Sequence, residues 1–183
     1  MTRPGFLRLS TIAFFGLALL PGRAMSQQQS LHEQIVGTWV YVSSTAKLAD
    51  GSPFWGANPK GLMIFTPNGH FSWQLFRSDR PKFAGKNRMT ATPDENKATL
   101  QGSLAYFGTY SVNETDKTIT TRVEGSTFPN SEGEEQKRII TRLTADELIY
   151  ENPVTTRGGR VDPPGTASFA WAFFRVSGSK SSG

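Results

Sequence analysis

The chain has no cysteine and only two histidines among 183 residues. Without thiols there can be no disulfide framework, no thiolate zinc or iron–sulfur site and no cysteine nucleophile. Two histidines cannot furnish a histidine-rich metal centre. His32 precedes the first strand and His70 begins a strand directly after a turn, positions that read as exposed bystanders. Neither a metal nor a cofactor is therefore expected. Long apolar runs are also missing: the stretch from Ile12 to Leu20 falls short of the roughly 20 residues a membrane-spanning helix needs. No internal repeat, no glycine-rich phosphate loop and no Gly-x-Ser-x-Gly context around Ser126 is present, which argues against nucleotide binding and serine hydrolysis. What the chain does have is aromatic side chains, 11% of the total, too many for a mostly disordered protein.

The N-terminal segment reads as an address. Arg3 and Arg8 precede the apolar run, and the breaker Pro21-Gly22 and small residues Ala24 and Ser26 follow it. This is the pattern of a secretory signal peptide spanning 1–26, which predicts export to a periplasm or the exterior after cleavage. Arg3, Arg8 and Arg23 would leave with it and no acid would, so the net charge would fall from +5 to about +2. So small a charge gives no global attraction to nucleic acid or anionic lipid, and neither nucleic-acid binding nor membrane insertion after cleavage is expected.

Beyond residue 30 the sequence reads as a meander. Val36–Ser44, Gly61–Thr66, His70–Arg77, Leu104–Asn113, Thr118–Glu124, Gln136–Leu143, Glu147–Asn152 and Ser168–Val176 are rich in aromatic and β-branched residues and are separated by polar, Gly- or Pro-containing turns. Asn68-Gly69 predicts a tight hairpin between the second and third segments. Thr92-Pro93-Asp94-Glu95 places a hydroxyl at an N-cap, proline at the first helical position and glutamate at the third, and predicts a short helix from Pro93 to about Ser103, inserted between the third and fourth strands. The basic loop before it, with Arg77, Arg80, Lys82, Lys86 and Arg88, reads as a solvated connector, since a single aromatic, Phe83, is interleaved in it. The Ser/Gly-rich end, 177–183, reads as a mobile tail.

An antiparallel sheet of eight strands removes its reactive edges by closing on itself, so the expected fold is all-β, an up-and-down barrel whose interior is either filled or holds one small ligand. Gly37-Thr38-Trp39 on the first strand, with Arg175 near the end of the last, resembles the lipocalin or calycin signature. In it, an arginine packs across a tryptophan and gains cation–π attraction. The wider pattern includes Asn58-Pro59-Lys60-Gly61, Thr66-Pro67-Asn68-Gly69, Ala105-Tyr106-Phe107-Gly108-Thr109-Tyr110 and Val123-Glu124-Gly125-Ser126. Together these resemble the small bacterial and fungal lipocalin-like domain family over 31–176. The resemblance implies a calycin barrel but little biochemistry. Members often carry histidines before the Val-Glu-Gly-Ser stretch, where this chain has Thr121 and Arg122.

Candidate site residues follow from strand alternation. Arg122 and Glu124 share a face opposite Ile119, Thr121 and Val123. If the apolar side is internal, the two charges form a surface ladder with Arg138 or Arg142. If the ladder turns inward, the Arg–Glu pair could orient a substrate, with Glu124 as a general base. Tyr106 and Tyr110 flank Gly108, either as walls of a slot for a flat ligand or as core rings. Phe54-Trp55 and Phe128 sit in loops and read as a pocket lid or as rim packing, and Trp73 joins Tyr106, Tyr110, Arg122, Glu124 and Phe128 in the candidate ligand-binding set. Three functions remain open at this point. The first is an exported barrel binding a small hydrophobic molecule, the second a cofactor-free isomerase or cyclase using the Glu124/Arg122/tyrosine site, and the third a filled barrel that contacts another protein.

Overall fold

The computed structural model describes Met1 and residues 29–153 and 169–176; the expected signal peptide and C-terminal tail lie outside the described residues. Eight strands run in order: β1 (Gly37–Ser44), β2 (Lys60–Phe65), β3 (His70–Phe76), β4 (Ser103–Asn113), β5 (Thr118–Ser126), β6 (Glu135–Leu143), β7 (Glu147–Asn152) and β8 (Phe169–Arg175). Each pairs antiparallel with its sequence neighbours, and β8 returns to β1, so the sheet is a closed eight-stranded up-and-down barrel. Closure leaves no unpaired edge for another chain to extend.

Alternation along each strand decides what points inward. In β3, Phe71, Trp73 and Leu75 are buried while His70 and Gln74 face solvent. In β1, Trp39 and Tyr41 are buried while Val40 and Val42 lie outside. The aromatic residues so gathered touch one another across the barrel: the Trp73 ring lies 5.2 Å from Phe173 and 5.6 Å from Trp171. Such edge-to-face pairs add to the gain from area burial.

Three local features depart from expectation. A short helix, α1 (Leu31–Ile35), precedes the first strand. Its Ser30/Glu33 capping box satisfies two terminal amides, and Glu114 in the β4–β5 turn accepts from the Leu31 and His32 N–H groups at 2.8 and 3.1 Å. The helix α2 (Pro93–Gln101) starts with the expected Thr92/Glu95 capping box but stops two residues early, at the Gly102 C-cap, after which Ser103 opens β4. The β2–β3 turn is not built on two left-handed residues: Gly69 alone adopts positive φ, 83°, and the loop runs from Thr66 to Gly69.

The two ends of the barrel differ. At one, α1 lies across the interior with Ile35 fully buried. The other carries the β1–β2 loop, the connection through α2 and the β5–β6 loop. This end is open.

Candidate functional site

At the closed end the geometry is a latch. Arg175 stands opposite Trp39 in the β1–β8 register, and its guanidinium lies 4.1 Å from the indole centroid. Nε donates to the Ala145 carbonyl at 2.6 Å, Nη1 to Val36 at 2.6 Å, and Nη2 to Gln34. One side chain of β8 thereby ties the C-terminal end of α1 to the β6–β7 turn. Gly37 makes the approach possible, since a Cβ there would come within 2.7 Å of Arg175 Nη1. Trp39 completes the end by donating from Nε1 to the Ile35 carbonyl at 2.7 Å.

Tyr110 belongs to this closed end. Its hydroxyl donates to the Thr66 carbonyl at 2.8 Å, and its ring stacks on His32 with centroids 5.5 Å apart. His32 is thus half-buried packing, not the exposed bystander its position suggested, whereas His70 is exposed. Burial raises the Tyr110 phenol above its ordinary pKa.

Tyr106, two inward positions nearer the mouth, has a different environment. Gly108 between them offers no slot, because a Cβ there would meet the Arg122 carbonyl oxygen at 2.0 Å. The pressing backbone belongs to a bulge in which Phe107 pairs with Gly125 and Gly108 with Val123, leaving Glu124 as the extra residue of β5. The gap is filled by backbone.

Arg122 and Glu124 both lie exposed on the outer wall, while Thr121 and Val123 point inward. The inward pair does not form. Glu124 is therefore not an enclosed general base, and neither residue lines the interior. Arg142 is on the surface as well, paired with Glu147 at 2.5 Å.

Arg138, expected on the same outer ladder, is inside and 4% exposed. Nη2 donates to Gln136 Oε1 at 2.6 Å and to Tyr106 Oη at 2.8 Å, Nη1 makes longer contacts with Thr121 Oγ1 and the Gln136 carbonyl at 3.3 and 3.4 Å, and the guanidinium lies 5.6 Å from the Tyr150 ring centroid. Burial by itself would lower its pKa, but the adjacent Tyr106 and Tyr150 outweigh that effect and hold it above the ordinary arginine value. The side chain is charged at any working pH. The sequence offered no warning: Gln136, Arg138 and Ile140 on one face are no more polar than Lys137, Ile139 and Thr141 on the other.

At the open end a pocket of about 460 Å³ is lined by Leu48, Phe54 and Trp55 of the β1–β2 loop, Leu100 and Gln101 of α2, Arg77, Ser103 and Leu104, and Thr127 and Phe128. This volume lies in the range of small-molecule sites. Arg77 is held in place by Asp79 at 2.6 Å and by the Phe54 carbonyl at 3.0 Å, and Arg80 by Ser103 Oγ at 2.9 Å. These two members of the basic loop secure the rim. Trp55 is buried and Phe128 partly exposed, so the loop aromatics form walls of the mouth. Trp73 lies deeper, 1% exposed, with no hydrogen-bond partner for Nε1. Among the described residues no three His, Asp or Glu side chains converge to hold a metal ion.

Residues 36–162 match the lipocalin-like domain. The chain belongs to this family. Among solved structures it is similar to a lipocalin-like protein from Bacteroides uniformis, with 15% sequence identity and a TM-score of 0.40, over 79% of this chain and 99% of that one. No curated protein matches. Within the lipocalin-like barrel, the signature residues Gly37, Trp39 and Arg175 meet at the closed end, Tyr106 and Trp73 face the interior, and Phe128 lines the mouth.

Proposed function

We propose that the protein is an exported lipocalin-like barrel that takes a small, mostly apolar molecule through its open end into its interior. The observation that carries the reading is the mouth pocket of about 460 Å³, walled by Phe54, Trp55, Leu104 and Phe128. Large aromatic side chains held at a rim by hydrogen-bonded loops gain more from a bound apolar surface than from water. The export part of the reading rests on the arginine-flanked apolar run at the N-terminus.

The isomerase or cyclase alternative loses its named base, because Glu124 stands on the outer wall. Native mass spectrometry of protein purified from its host, together with solvent extraction of the same sample, tests the binding reading. Recovery of a hydrophobic small molecule in stoichiometric amount supports it. Failure to recover any such molecule, combined with no binding of added apolar probes, would count decisively against it.

A further inference from the structure

The outer wall of the barrel is divided by charge. On β5, β6 and β7 the outward positions carry Arg122, Glu124, Glu135, Lys137, Arg142 and Glu147, with Arg122 opposite Glu135 and Arg142 paired to Glu147. That is the ordinary surface of a solvated sheet. On β8, β1, β2, β3 and β4, five strands adjacent in the closed sheet, the outward residues include no carboxylate. One cation of these strands, Lys60, stands at the mouth end, where the Arg80 guanidinium also lies 4.7 Å from the Phe76 ring centroid.

This uncharged half exposes large apolar side chains in contiguous rows. Val40 lies opposite Phe174 on one side and Leu62 on the other, so the three form a row across β8, β1 and β2. Phe174 is 54% exposed, Val40 42% and Val42, beside them at the β1 bulge, 45%. Ile64 belongs to the next row, which runs through Ser72 to Phe107, itself 55% exposed. Phe107 is seated on the wall: a Cβ at Gly125 would come within 2.6 Å of its ring. Apolar side chains exposed singly are common, but a contiguous apolar surface free of charge marks a contact face.

Closure, charge and area decide what meets it. The closed sheet has no edge to extend, so a partner must pack face to face. A two-fold contact sets each patch against itself, and a patch without charge does so with no like charges opposed. Five strands about 4.8 Å apart, each about six residues long, span roughly 24 by 20 Å, on the order of 500 Å² in projection before side-chain relief is counted. A standard interface takes roughly 800 Å² of accessible surface from each partner, and interfaces between identical chains are the more apolar ones. The wall thus suits a dimer at the small end of the stable range.

We propose that a second copy of the chain packs on this wall, β8–β1–β2 against β8–β1–β2 about a two-fold axis, with Phe174 and Val40 at the centre. Association of this kind leaves the mouth free and is independent of what the interior holds.

Sedimentation velocity of protein purified from its host, across a dilution series from about 100 to 1 μM, tests the assignment. A dimer is expected at the upper concentrations. Each substitution enters a two-fold interface twice, so Phe174→Lys and Val40→Lys are each expected to weaken self-association at least about tenfold. Ile139→Lys, an exposed apolar position on the charged wall, should leave it unchanged. Far-UV circular dichroism checks that each variant is folded, and Val40→Lys decides if Phe174→Lys is not. A wild-type monomer at every concentration would overturn the proposal, and flotation of that monomer with phosphatidylcholine vesicles would give the wall to a lipid surface instead. A dimer that survives both wall substitutions, or that Ile139→Lys breaks, would overturn it equally.

Discussion

The latch at the closed end makes a demanding prediction. Arg175→Ala removes donors to three carbonyls, Gln34 and Val36 at the end of α1 and Ala145 in the β6–β7 turn, and the guanidinium stacked 4.1 Å from the Trp39 centroid. The Ala145 contact is exposed, so it adds about 0.5 kcal/mol, and each of the two partly buried bonds adds about 1 kcal/mol. The cation–π contact adds roughly 0.5–1 kcal/mol, giving a total near 3 kcal/mol. Arg175→Lys keeps a charge but cannot reach three carbonyls at once, and should lose about half as much. Urea unfolding followed by near-UV and far-UV circular dichroism measures both variants. The slope with denaturant should be unchanged and the midpoint lowered. A loss below about 1 kcal/mol for Arg175→Ala would refute the view that this side chain holds the end shut.

Three further outcomes follow from the same geometry. Gly108→Ala would drive a Cβ to 2.0 Å from the Arg122 carbonyl oxygen, so the β4–β5 bulge must shift; a loss of about 3 kcal/mol or failure to fold is expected in thermal melts, and near-neutral behaviour would show the bulge is misplaced. Glu124→Gln, on the outer wall, should change stability by less than about 0.5 kcal/mol and leave probe binding untouched; lost binding would return Glu124 to the site. Burial raises the phenols of Tyr41 and Tyr110, so the folded state holds these protons longer than the unfolded chain. Their contribution is intact below the unfolded value near pH 10 and is lost as pH rises through the folded values, so urea midpoints measured between pH 9 and 12 should fall, and less steeply in Tyr110→Phe.

The period-two pattern of apolar and polar residues was enough to place all eight strands to within two residues, because side chains on a strand must alternate between the core and solvent. The Thr92/Glu95 capping box showed the start of α2 for an equally local reason. Ser30 and Glu33 carry the same signature for α1, but a five-residue helix has too little periodicity to stand out from the polar residues around it. The pairing of Trp39 with Arg175 was visible beforehand only through the family resemblance, since nothing local to either residue points to a partner 136 positions away.

What the alternation could not decide was the face of β6, where both sides mix polar and apolar residues in equal measure. The neighbouring strands decided it: pairing Thr118 with Ile139 and Thr121 with Gln136 puts Arg138 beneath Tyr106 and Tyr150. The same long-range pairing inserted the Glu124 bulge and pressed the β5 backbone onto Gly108. Strand identity is written in local chemistry. Which side chains meet in the interior depends on register between segments distant in sequence, and only closure of the barrel sets that register.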